Sequence, residues 1–466
     1  MIPSLKKFST ESDFLMLTDT ICALATAPGG ALGIIRVSGS HAFNAVSSIC
    51  HTDCHGVAAN TIHYTHIVNA DGEAIDEAMV SIFRTPHSYT GEDSVEISCH
   101  GSRYILNKVL ELLAQNGCRM ANPGEYTQRA YLNGKMDLSQ AEAVADLIAS
   151  TNRSTHQMAM SQLKGHFSSE LKGLRDQLLQ LTSLLELELD FSDHEDLEFA
   201  DRTALFDLAT TIDNRILQLA GSFETGQALR NGIPVAIVGK TNVGKSTLLN
   251  RLIGDERAIV SDVHGTTRDT IEDVIDINGI QFRFIDTAGL RQTSDEVEQI
   301  GIERTKQKVK EARIVLWLTD ERPTTEEDQE MSELLKDKSY ICVHTKADLL
   351  DTNSFIPYHA PMSLISAKTG AGIAALKDRI MEEANVAGFT GHEIIVTNAR
   401  HYDALCRAHT SIQRVIDGLS PHSALPIDLL SEDLRQTLDV LAEITGGQIT
   451  PQETLNNIFS HFCVGK

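Results

Sequence analysis

Residues 239–246 of this 466-residue chain read Gly-Lys-Thr-Asn-Val-Gly-Lys-Ser, which fits the pattern G-x-x-x-x-G-K-S/T at every position. The apolar run 235–238 precedes them and a helix start at 247–252 follows, which is the context that a P-loop demands rather than an ordinary Gly-rich turn. Glycines let backbone N–H groups face phosphates, and the helix N-terminus adds positive potential. We therefore expect Lys245 to reach the β- and γ-phosphates of a nucleotide and Ser246 to ligate Mg²⁺.

Three further short motifs follow this loop, each at the end of a predicted strand. Residues 286–289, Asp-Thr-Ala-Gly, are placed to hold Mg²⁺ through water with the aspartate and to sense a γ-phosphate with the glycine amide. Residues 345–348, Thr-Lys-Ala-Asp, match the guanine-reading pattern N/T-K-x-D, in which Asp348 accepts both guanine N–H donors. Residues 366–368, Ser-Ala-Lys, bring a backbone amide to the guanine oxygen. In this order the four motifs resemble a Ras-like GTPase domain that binds GTP. The predicted nucleotide contacts in them are Asn242, Val243, Gly244, Lys245, Ser246, Thr247, Asp286, Thr287, Ala288, Gly289, Thr345, Lys346, Asp348, Ser366, Ala367 and Lys368.

Two positions depart from the Ras pattern. Thr345 stands where Asn is commoner, which is expected to weaken one supporting hydrogen bond while leaving the aspartate that selects guanine. Ras-type enzymes orient the attacking water with a Gln directly after the Asp-x-x-Gly turn, and here that position is Leu290. Because a leucine neither positions nor polarises water, another residue must do so.

The rest of the chain predicts an α/β module inserted into a helical domain. Between about 232 and 388, apolar runs alternate with helical stretches, which is typical of a parallel sheet covered on both faces. Leucines at helical spacing lie on both sides, in 171–185 and in 427–441. Before about 133, short β-like runs such as 33–37 and 94–98 mix with turns.

Composition excludes several classes. The net charge is −24, with 64 acidic against 40 basic residues. This excess of acidic residues is unfavourable for a protein that binds nucleic acid by itself, because contacts with phosphates need clustered Lys and Arg. The chain has no apolar run long enough for a membrane span and no signal-like start, so a cytoplasmic protein with reduced thiols is expected. The eight cysteines are scattered, and the four potential ligands within 50–55 are too crowded for the usual zinc pattern.

Further motifs narrow the resemblance. Residues 265–269, Gly-Thr-Thr-Arg-Asp, and residues 300–304, Ile-Gly-Ile-Glu-Arg, look like those of the MnmE and Der group. The last four residues, 463–466, read Cys-Val-Gly-Lys, and the N-terminal stretches 89–96 and 123–138 also match. This order of motifs, from about residue 19 to 466, resembles the MnmE family of tRNA-modifying GTPases, whereas Der-type GTPases lack it.

The resemblance implies how hydrolysis is achieved. In the family a glutamate that matches Glu303 orients the attacking water, whereas without the resemblance a solvated helix acid is the favoured interpretation. A K⁺ ion replaces the arginine finger, and the site is completed when two GTPase domains face one another in a homodimer. The K⁺ ligands carried over are Asn242, Ser261, Val263 and Thr266. Thr267 matches the switch residue that meets Mg²⁺ together with Ser246 and, through water, Asp286. The other switch positions predicted to contact the nucleotide are Asp262, His264 and Gly265.

The resemblance also implies a role for both ends of the chain. Cys463 becomes a candidate catalytic cysteine, and the N-terminal domain is expected to bind a tetrahydrofolate in its 5,10-methylene or 5-formyl form. The matching folate-contacting positions are Arg36, Glu96, Lys135 and Lys466. The implied partner is MnmG, a protein that carries FAD and uses NADH, and the implied substrate is the wobble uridine of tRNA, modified at carbon 5.

The expected domains follow from the motifs and the resemblance together. They are a flexible extension at 1–18, an α+β folate-binding and dimerisation domain at 19–134, a first helical half at 135–231, a Ras-like GTPase domain at 232–388 and a second helical half with the cysteine tail at 389–466. Two other functions stay open at this point: a regulatory GTPase switch in ribosome assembly or signalling, and a GTP-dependent chaperone of the partner flavoprotein. A plain switch would not need Cys463 or the folate-like positions.

Overall fold

The computed structural model describes residues 19–190, 202–255, 273–285, 306–350, 357, 359, 362–384, 393–420, 427–447, 452–460 and 462–465. The strands are β1 (Thr20–Leu24), β2 (Leu32–Ser38), β3 (Thr61–Val68), β4 (Ala74–Phe83), β5 (Ser94–His100), β6 (Cys118–Met120), β7 (Ile233–Gly239), β8 (Asp273–Ile277), β9 (Ile280–Phe284), β10 (Ile314–Thr319), β11 (Ser339–His344) and β12 (Met362–Leu364). The helices are α1 (Ala42–Ser47), α2 (Arg103–Gln115), α3 (Glu125–Leu132), α4 (Leu138–Ala149), α5 (Arg153–Leu163), α6 (His166–Asp190), α7 (Arg202–Gly221), α8 (Phe223–Asn231), α9 (Lys245–Asp255), α10 (Thr325–Leu334), α11 (Ile373–Glu383), α12 (Ala399–Leu419), α13 (Ile427–Thr445) and α14 (Gln452–Ser460).

The chain forms two compact units, each built from separate segments. The first unit comprises Met1–Ala149, Ala159–Leu217 and Asp403–Lys466, and the second comprises Ser150–Met158 and Gln218–Tyr402. Among the described residues, none forms a helix with both the length and the apolar character that crossing a bilayer requires.

The first unit contains a six-stranded sheet in the order β3-β4-β5-β2-β1-β6. Its strands are antiparallel except for the parallel pair β1–β6. Because side chains alternate along a strand, one face of β2 carries Ile35 and Val37 into a core with Phe43 of α1 and Val109 of α2. The other face carries Arg36 and its neighbours on β3, β4 and β5 away from that core.

The helices of the first unit confirm the predicted leucine stripes. On α6 the buried leucines are Leu171, Leu174, Leu178, Leu181 and Leu185. On α13 they are Leu430, Leu434 and Leu441, while Leu438 is half-buried. Helix α3, Glu125–Leu132, lies in the region where the sequence predicts short β-like runs and turns. Its start at Gly124 has a positive φ of 67°, a turn that the β-like reading of this region did not include.

The second unit contains a sheet in the order β12-β11-β10-β7-β9-β8. All neighbouring strands are parallel except the β8–β9 hairpin, so the predicted mostly parallel sheet is confirmed. Apolar side chains cover both faces: Ile237 and Leu316 pack with Leu252 of α9 on one, and Val238 with Trp317 on the other. The carboxyl ends of β7, β10 and β11 meet at one edge of this sheet, where loops bind ligands in α/β folds.

A buried ion network holds α3 against the N-terminal sheet. Arg129 is 2% exposed and donates to Glu92 at 3.2 Å, to Glu125 at 3.0 Å and to Asp19. Arg119 pairs with the same Asp19 and Glu125, at 2.8 and 2.6 Å. Burial would raise the pKa of Glu125, but hydrogen bonds from Arg119, the Asn122 N–H and Arg129 outweigh it and lower that pKa. The Glu125 carboxylate therefore stays charged beside the two guanidinium groups, whereas burial raises the pKa of Glu92.

Replacing Arg129 with Met should strongly destabilise the first unit. The substitution leaves buried carboxylates without their cation, which typically costs about 3–5 kcal/mol of unfolding free energy. Urea denaturation followed by circular dichroism measures the loss. Arg435→Met is the matched control, because Arg435 and its partner Glu186 are 60% and 44% exposed and should shift no midpoint. Equal stability of the two variants would contradict the network's role.

Candidate functional site

The loop 239–246 joins β7 to α9 through backbone geometry that needs its glycine. Gly239 has a φ of 148°, and a Cβ added there would lie 2.4 Å from the carbonyl oxygen of Leu318 on the neighbouring strand β10. Asn242 and Gly244 also have positive φ values, of 63° and 102°. Val243 is buried and anchors the middle of the loop. The loop thus has the strand–loop–helix form that the sequence predicts for phosphate binding.

Lys245 lies along this loop. Its ammonium donates to the carbonyl oxygens of Gly239 at 2.7 Å and Lys240 at 2.6 Å. Burial, with a smaller contribution from Lys308, lowers the pKa of Lys245. Ser246 is half-buried in the first turn of α9, and Thr247 is exposed beside it. The cation and the hydroxyl therefore stand at the helix N-terminus, where anions bind.

The guanine-reading motif is tied directly to the phosphate loop. The Thr345 hydroxyl, buried at the end of β11, donates to the Val243 carbonyl oxygen at 2.6 Å. The threonine at this position therefore supplies a hydrogen bond to the phosphate loop, although Asn is commoner there. Lys346 has a φ of 54° and pairs with Asp320 at 2.6 Å. This joins the ends of β10 and β11 at the same edge of the sheet.

Asp348 and Ser366 come together as the sequence predicts. The Ser366 hydroxyl donates to Asp348 Oδ1 at 2.6 Å and lowers the pKa of that carboxyl. The Ala347 N–H donates to the Ile365 carbonyl oxygen at 2.9 Å, which holds the two loops side by side. An ionised carboxylate at this position can accept two N–H donors of a planar base. Ala367 and Lys368 follow in the same loop.

Several predicted site residues lie outside the described residues. They are Ser261, Asp262, Val263, His264, Gly265, Thr266, Thr267, Asp286, Thr287, Ala288, Gly289, Glu303 and Lys466.

A second polar site lies on the sheet of the first unit. Arg36 on β2 and Glu96 on β5 are direct partners in the strand register, and Arg36 Nε and Nη2 contact Glu96 Oε1 at 2.9 and 2.7 Å. The guanidinium lies 5.7 Å from the ring centre of Tyr89 and 5.6 Å from that of Tyr126. Both tyrosines belong to motifs found in the sequence, but the sequence does not indicate them as site residues. Their position beside Arg36 in the structure does. Tyr126 is fully buried, whereas Tyr89 is 38% exposed, so the guanidinium and the Tyr89 ring are the groups that a flat polar ligand could meet.

The C-terminal tail docks on this site. Arg36 Nη1 donates to the Gly465 carbonyl oxygen at 3.1 Å, and the Gly124 N–H donates to that of Cys463 at 3.4 Å. Gly465 has a φ of 91°, and a Cβ there would lie 2.4 Å from the Leu24 carbonyl oxygen. The tail therefore packs against β1 and β2 with its backbone. The Cys463 side chain is left exposed.

Lys135 contacts the loop that also carries Tyr89 and is connected to Arg36 through it. Its ammonium donates to the Pro86 carbonyl oxygen at 2.8 Å, and its stem lies beside Gly91. Tyr89, which contacts Arg36, belongs to the same loop. The structure thus brings Arg36, Glu96 and the tail together and connects Lys135 to them through this loop.

The crowded ligands at 50–55 do not converge on one point. Cys50 and Cys54 are buried, whereas His51 lies next to the His66 ring and His55 hydrogen-bonds Asn44 at 3.0 Å. Within the described ranges, no group of three or more His, Cys, Asp or Glu side chains is arranged to hold a metal ion.

The phosphate loop, its following helix and the Asp348 loop at one edge of a mostly parallel sheet define a P-loop nucleotide-binding protein of the GTPase class. Comparison with known proteins makes this more specific. A family model described as "MnmE helical domain" matches residues 138–463, and one described as "GTP-binding protein TrmE N-terminus" matches residues 20–135.

Relatives named "tRNA modification GTPase MnmE" match along their whole length. The protein from Bacteroides thetaiotaomicron is 51% identical over 470 residues, which cover 97% of this chain and 100% of that protein. Those from Phocaeicola vulgatus and Flavobacterium johnsoniae are 50% and 48% identical, each over 96% of this chain and 99% of the relative. This chain belongs to the MnmE family.

Replacing Thr345 with Val should weaken guanine-nucleotide binding by about tenfold. The variant keeps the shape of the side chain but leaves the Val243 carbonyl without its buried donor, a loss of ~1–3 kcal/mol. Titration with a fluorescent GDP analogue measures the affinity. Thr345→Ser keeps the hydroxyl and serves as the control. Unchanged affinity in Thr345→Val would show that the phosphate loop does not depend on this bond.

Proposed function

We propose that this protein hydrolyses GTP during the modification of the wobble uridine of tRNA. The observation that carries the proposal is the joining of the phosphate loop to the guanine-reading motif through Thr345 and Val243. Full-length similarity to relatives named tRNA modification GTPase supports the reaction that this site serves. Residues 232–388 form the proposed GTPase domain between two helical halves.

In the nucleotide site, Lys245 binds the β- and γ-phosphate oxygens and the Asp348 carboxylate selects guanine. Ser246 offers a hydroxyl oxygen of the kind that Mg²⁺ prefers, and Thr267 and Asp286 complete the proposed set. When bound, Mg²⁺ neutralises charge on the phosphates. Ala367 and its neighbours place backbone N–H groups near the base.

Water activation is assigned to Glu303, because Leu290 cannot perform it. A K⁺ ion held by the Asn242 side chain and by oxygen atoms of Ser261, Val263 and Thr266 supplies the charge that an arginine finger provides elsewhere. The positive φ of Asn242 and its exposed position in the loop are consistent with a ligand that faces the phosphates. Two GTPase domains of a homodimer complete the arrangement.

The Arg36 site is proposed to bind a tetrahydrofolate, which supplies the one-carbon unit. Its donor set fits: Glu96 accepts paired N–H donors, while Arg36, Lys135 and Lys466 attract carboxylates. Arg36 and Glu96 side chains are 16% and 27% exposed, so a ligand on the open face can reach them. The docked tail places Cys463 close to the same face.

The open face also supports a homodimer. Ile62 and Tyr64 on the edge strand β3 are 63% and 59% exposed, and Met79, the register partner of Tyr64 on β4, is 42% exposed. Such contiguous apolar side chains on an edge strand are a surface for a second copy of the chain.

MnmG, which carries FAD, is the proposed partner in the reaction that adds an aminomethyl or carboxymethylaminomethyl group to carbon 5. The net charge of −24 favours a division of labour in which MnmG makes most contacts with tRNA. Tight tRNA binding by this protein alone, with a steep salt dependence, would contradict that division.

GTP turnover should depend on the monovalent cation. At equal ionic strength, KCl should give at least about tenfold faster hydrolysis than NaCl, because the bound cation offsets charge that develops on the phosphates. Asn242→Ala should remove the difference, and Glu303→Ala should lower turnover on the order of a hundredfold. The control Glu326→Ala changes an exposed carboxylate on α10 and should have no effect. Equal, slow turnover in both salts would leave a GTPase but refute the cation site.

Cys463 should be required for tRNA modification and not for GTP hydrolysis. In a strain that lacks the endogenous protein, Cys463→Ser should fail to restore the modified uridine, measured by nucleoside mass spectrometry, while purified Cys463→Ser hydrolyses GTP normally. Cys406→Ser, on α12, is the matched control. Full restoration by Cys463→Ser would favour a regulatory GTPase switch instead.

A further inference from the structure

The turn between α1 and β3 carries two thiols that the proposed function does not use. Cys50 is 7% exposed and Cys54 is fully buried, and both are free. Both belong to the core of the first unit, whereas His51, Asp53 and His55 of the same turn are exposed.

The two thiols point at the same small region. Cys50 Sγ lies 3.4 Å and Cys54 Sγ 3.8 Å from the Thr52 carbonyl oxygen. Both sulfurs thus lie beside one carbonyl oxygen. The Cys54 N–H donates to the Ser47 hydroxyl at 3.0 Å, which fixes the end of the turn on α1. The pair is therefore held close within one short turn.

The surroundings favour a thiolate at one of the two positions. The neighbouring Cys50 thiol, with a smaller contribution from Ser47, lowers the pKa of Cys54 to about 7 against the opposing effects of burial and of the Asp53 carboxylate. The Cys54 thiol and burial raise the pKa of Cys50. Arg84 adds a positive charge: its Nη2 contacts the carbonyl oxygens of Cys54, His55 and Val57 at 2.9 to 3.1 Å. A thiolate beside a second thiol is the arrangement found in redox-active pairs.

A metal is a poorer match for this pair. His51 and His55 face His66 and Asn44 instead of the thiols, and the described residues supply no third ligand. Two sulfurs alone do not close a tetrahedral site.

We propose that Cys50 and Cys54 form a reversible disulfide when the protein meets hydrogen peroxide. The Cys54 thiolate attacks one peroxide oxygen, the O–O bond breaks, and hydroxide leaves and takes up a proton to give Cys54 sulfenic acid and water. Cys50 sulfur then attacks Cys54 sulfur, the S–O bond breaks, and a second water leaves with the Cys50 proton. Two thiols are oxidised by two electrons in total, and peroxide is reduced to two waters.

A second cysteine pair in the same unit provides an internal comparison. Cys22 on β1 and Cys118 on β6 also contact each other, but the parallel ladder pairs Cys118 with Thr20 and not with Cys22. Disulfide geometry is narrow, and Cys22 and Cys118 are held on ladder strands that do not pair them in register, whereas Cys50 makes an isolated bridge with Ile67 and Cys54 lies outside any strand. The Cys50–Cys54 pair should therefore oxidise first.

Peptide mass spectrometry tests the proposal directly. Trypsin releases residues 37–84 as one peptide, because no Lys or Arg lies between Val37 and Arg84, and Cys50 and Cys54 are its sole cysteines. Folded protein is treated with peroxide, free thiols are alkylated in denaturant, and the masses of the tryptic peptides are measured. The peptide should lose both alkylation sites and two hydrogen masses before Cys22 and Cys118 change, and dithiothreitol should restore it.

The controls separate this site from general oxidation. Cys406→Ser should leave the disulfide intact, whereas Cys54→Ser should abolish it. In the unmodified chain the rate should rise about tenfold from pH 6 to pH 8 and level off above, following the thiolate fraction of a group with a pKa of about 7. Full alkylation of both thiols after treatment, or conversion only to products that dithiothreitol does not reverse, would overturn the proposal.

Discussion

The Arg36 guanidinium makes the contacts on which the arrangement of the first unit's open face depends. One guanidinium bonds Glu96 across the sheet, lies beside two tyrosine rings and donates to the carbonyl oxygen of Gly465. Residues near 465 thus contact the second strand, although the second unit lies between the two along the sequence. Because Gly465 and Gly124 allow the tail backbone to approach closely, the exposed Cys463 is held beside this face instead of at a free end.

The nucleotide site of the second unit is likewise held by contacts between segments that are distant in sequence. Parallel strands bring their carboxyl ends to one edge, and short contacts then lock the loops there: Gly239 against Leu318, and Thr345 against Val243. Lys240 of the loop also pairs with Glu327 at the start of α10, at 2.6 Å. The loop's shape is therefore set by neighbours that sit far away in sequence.

The sequence predicts the parts of this protein that depend on local pattern. The phosphate loop, the leucine stripes of α6 and α13 and the mostly parallel sheet follow from spacing and periodicity alone. It does not predict the hydrogen bond from Thr345, the tyrosines beside Arg36 or the buried Arg129, since each depends on which strands and helices become neighbours. The start of α3 is not predicted either, because Gly124 begins the helix in a left-handed conformation, and a Cβ there would meet Phe459 and Phe462, which are distant in sequence.

Calorimetric titration of 5-formyl-tetrahydrofolate into the purified protein is the most direct test of the site around Arg36. We expect saturable binding that Arg36→Met abolishes, because that variant removes both the partner of Glu96 and the side chain that bonds the Gly465 carbonyl oxygen. Lys108→Met, which removes a half-buried cation on α2, should bind the folate normally. Absence of binding to the unmodified protein, or equal binding by Arg36→Met, would contradict the assignment of this face as the folate site.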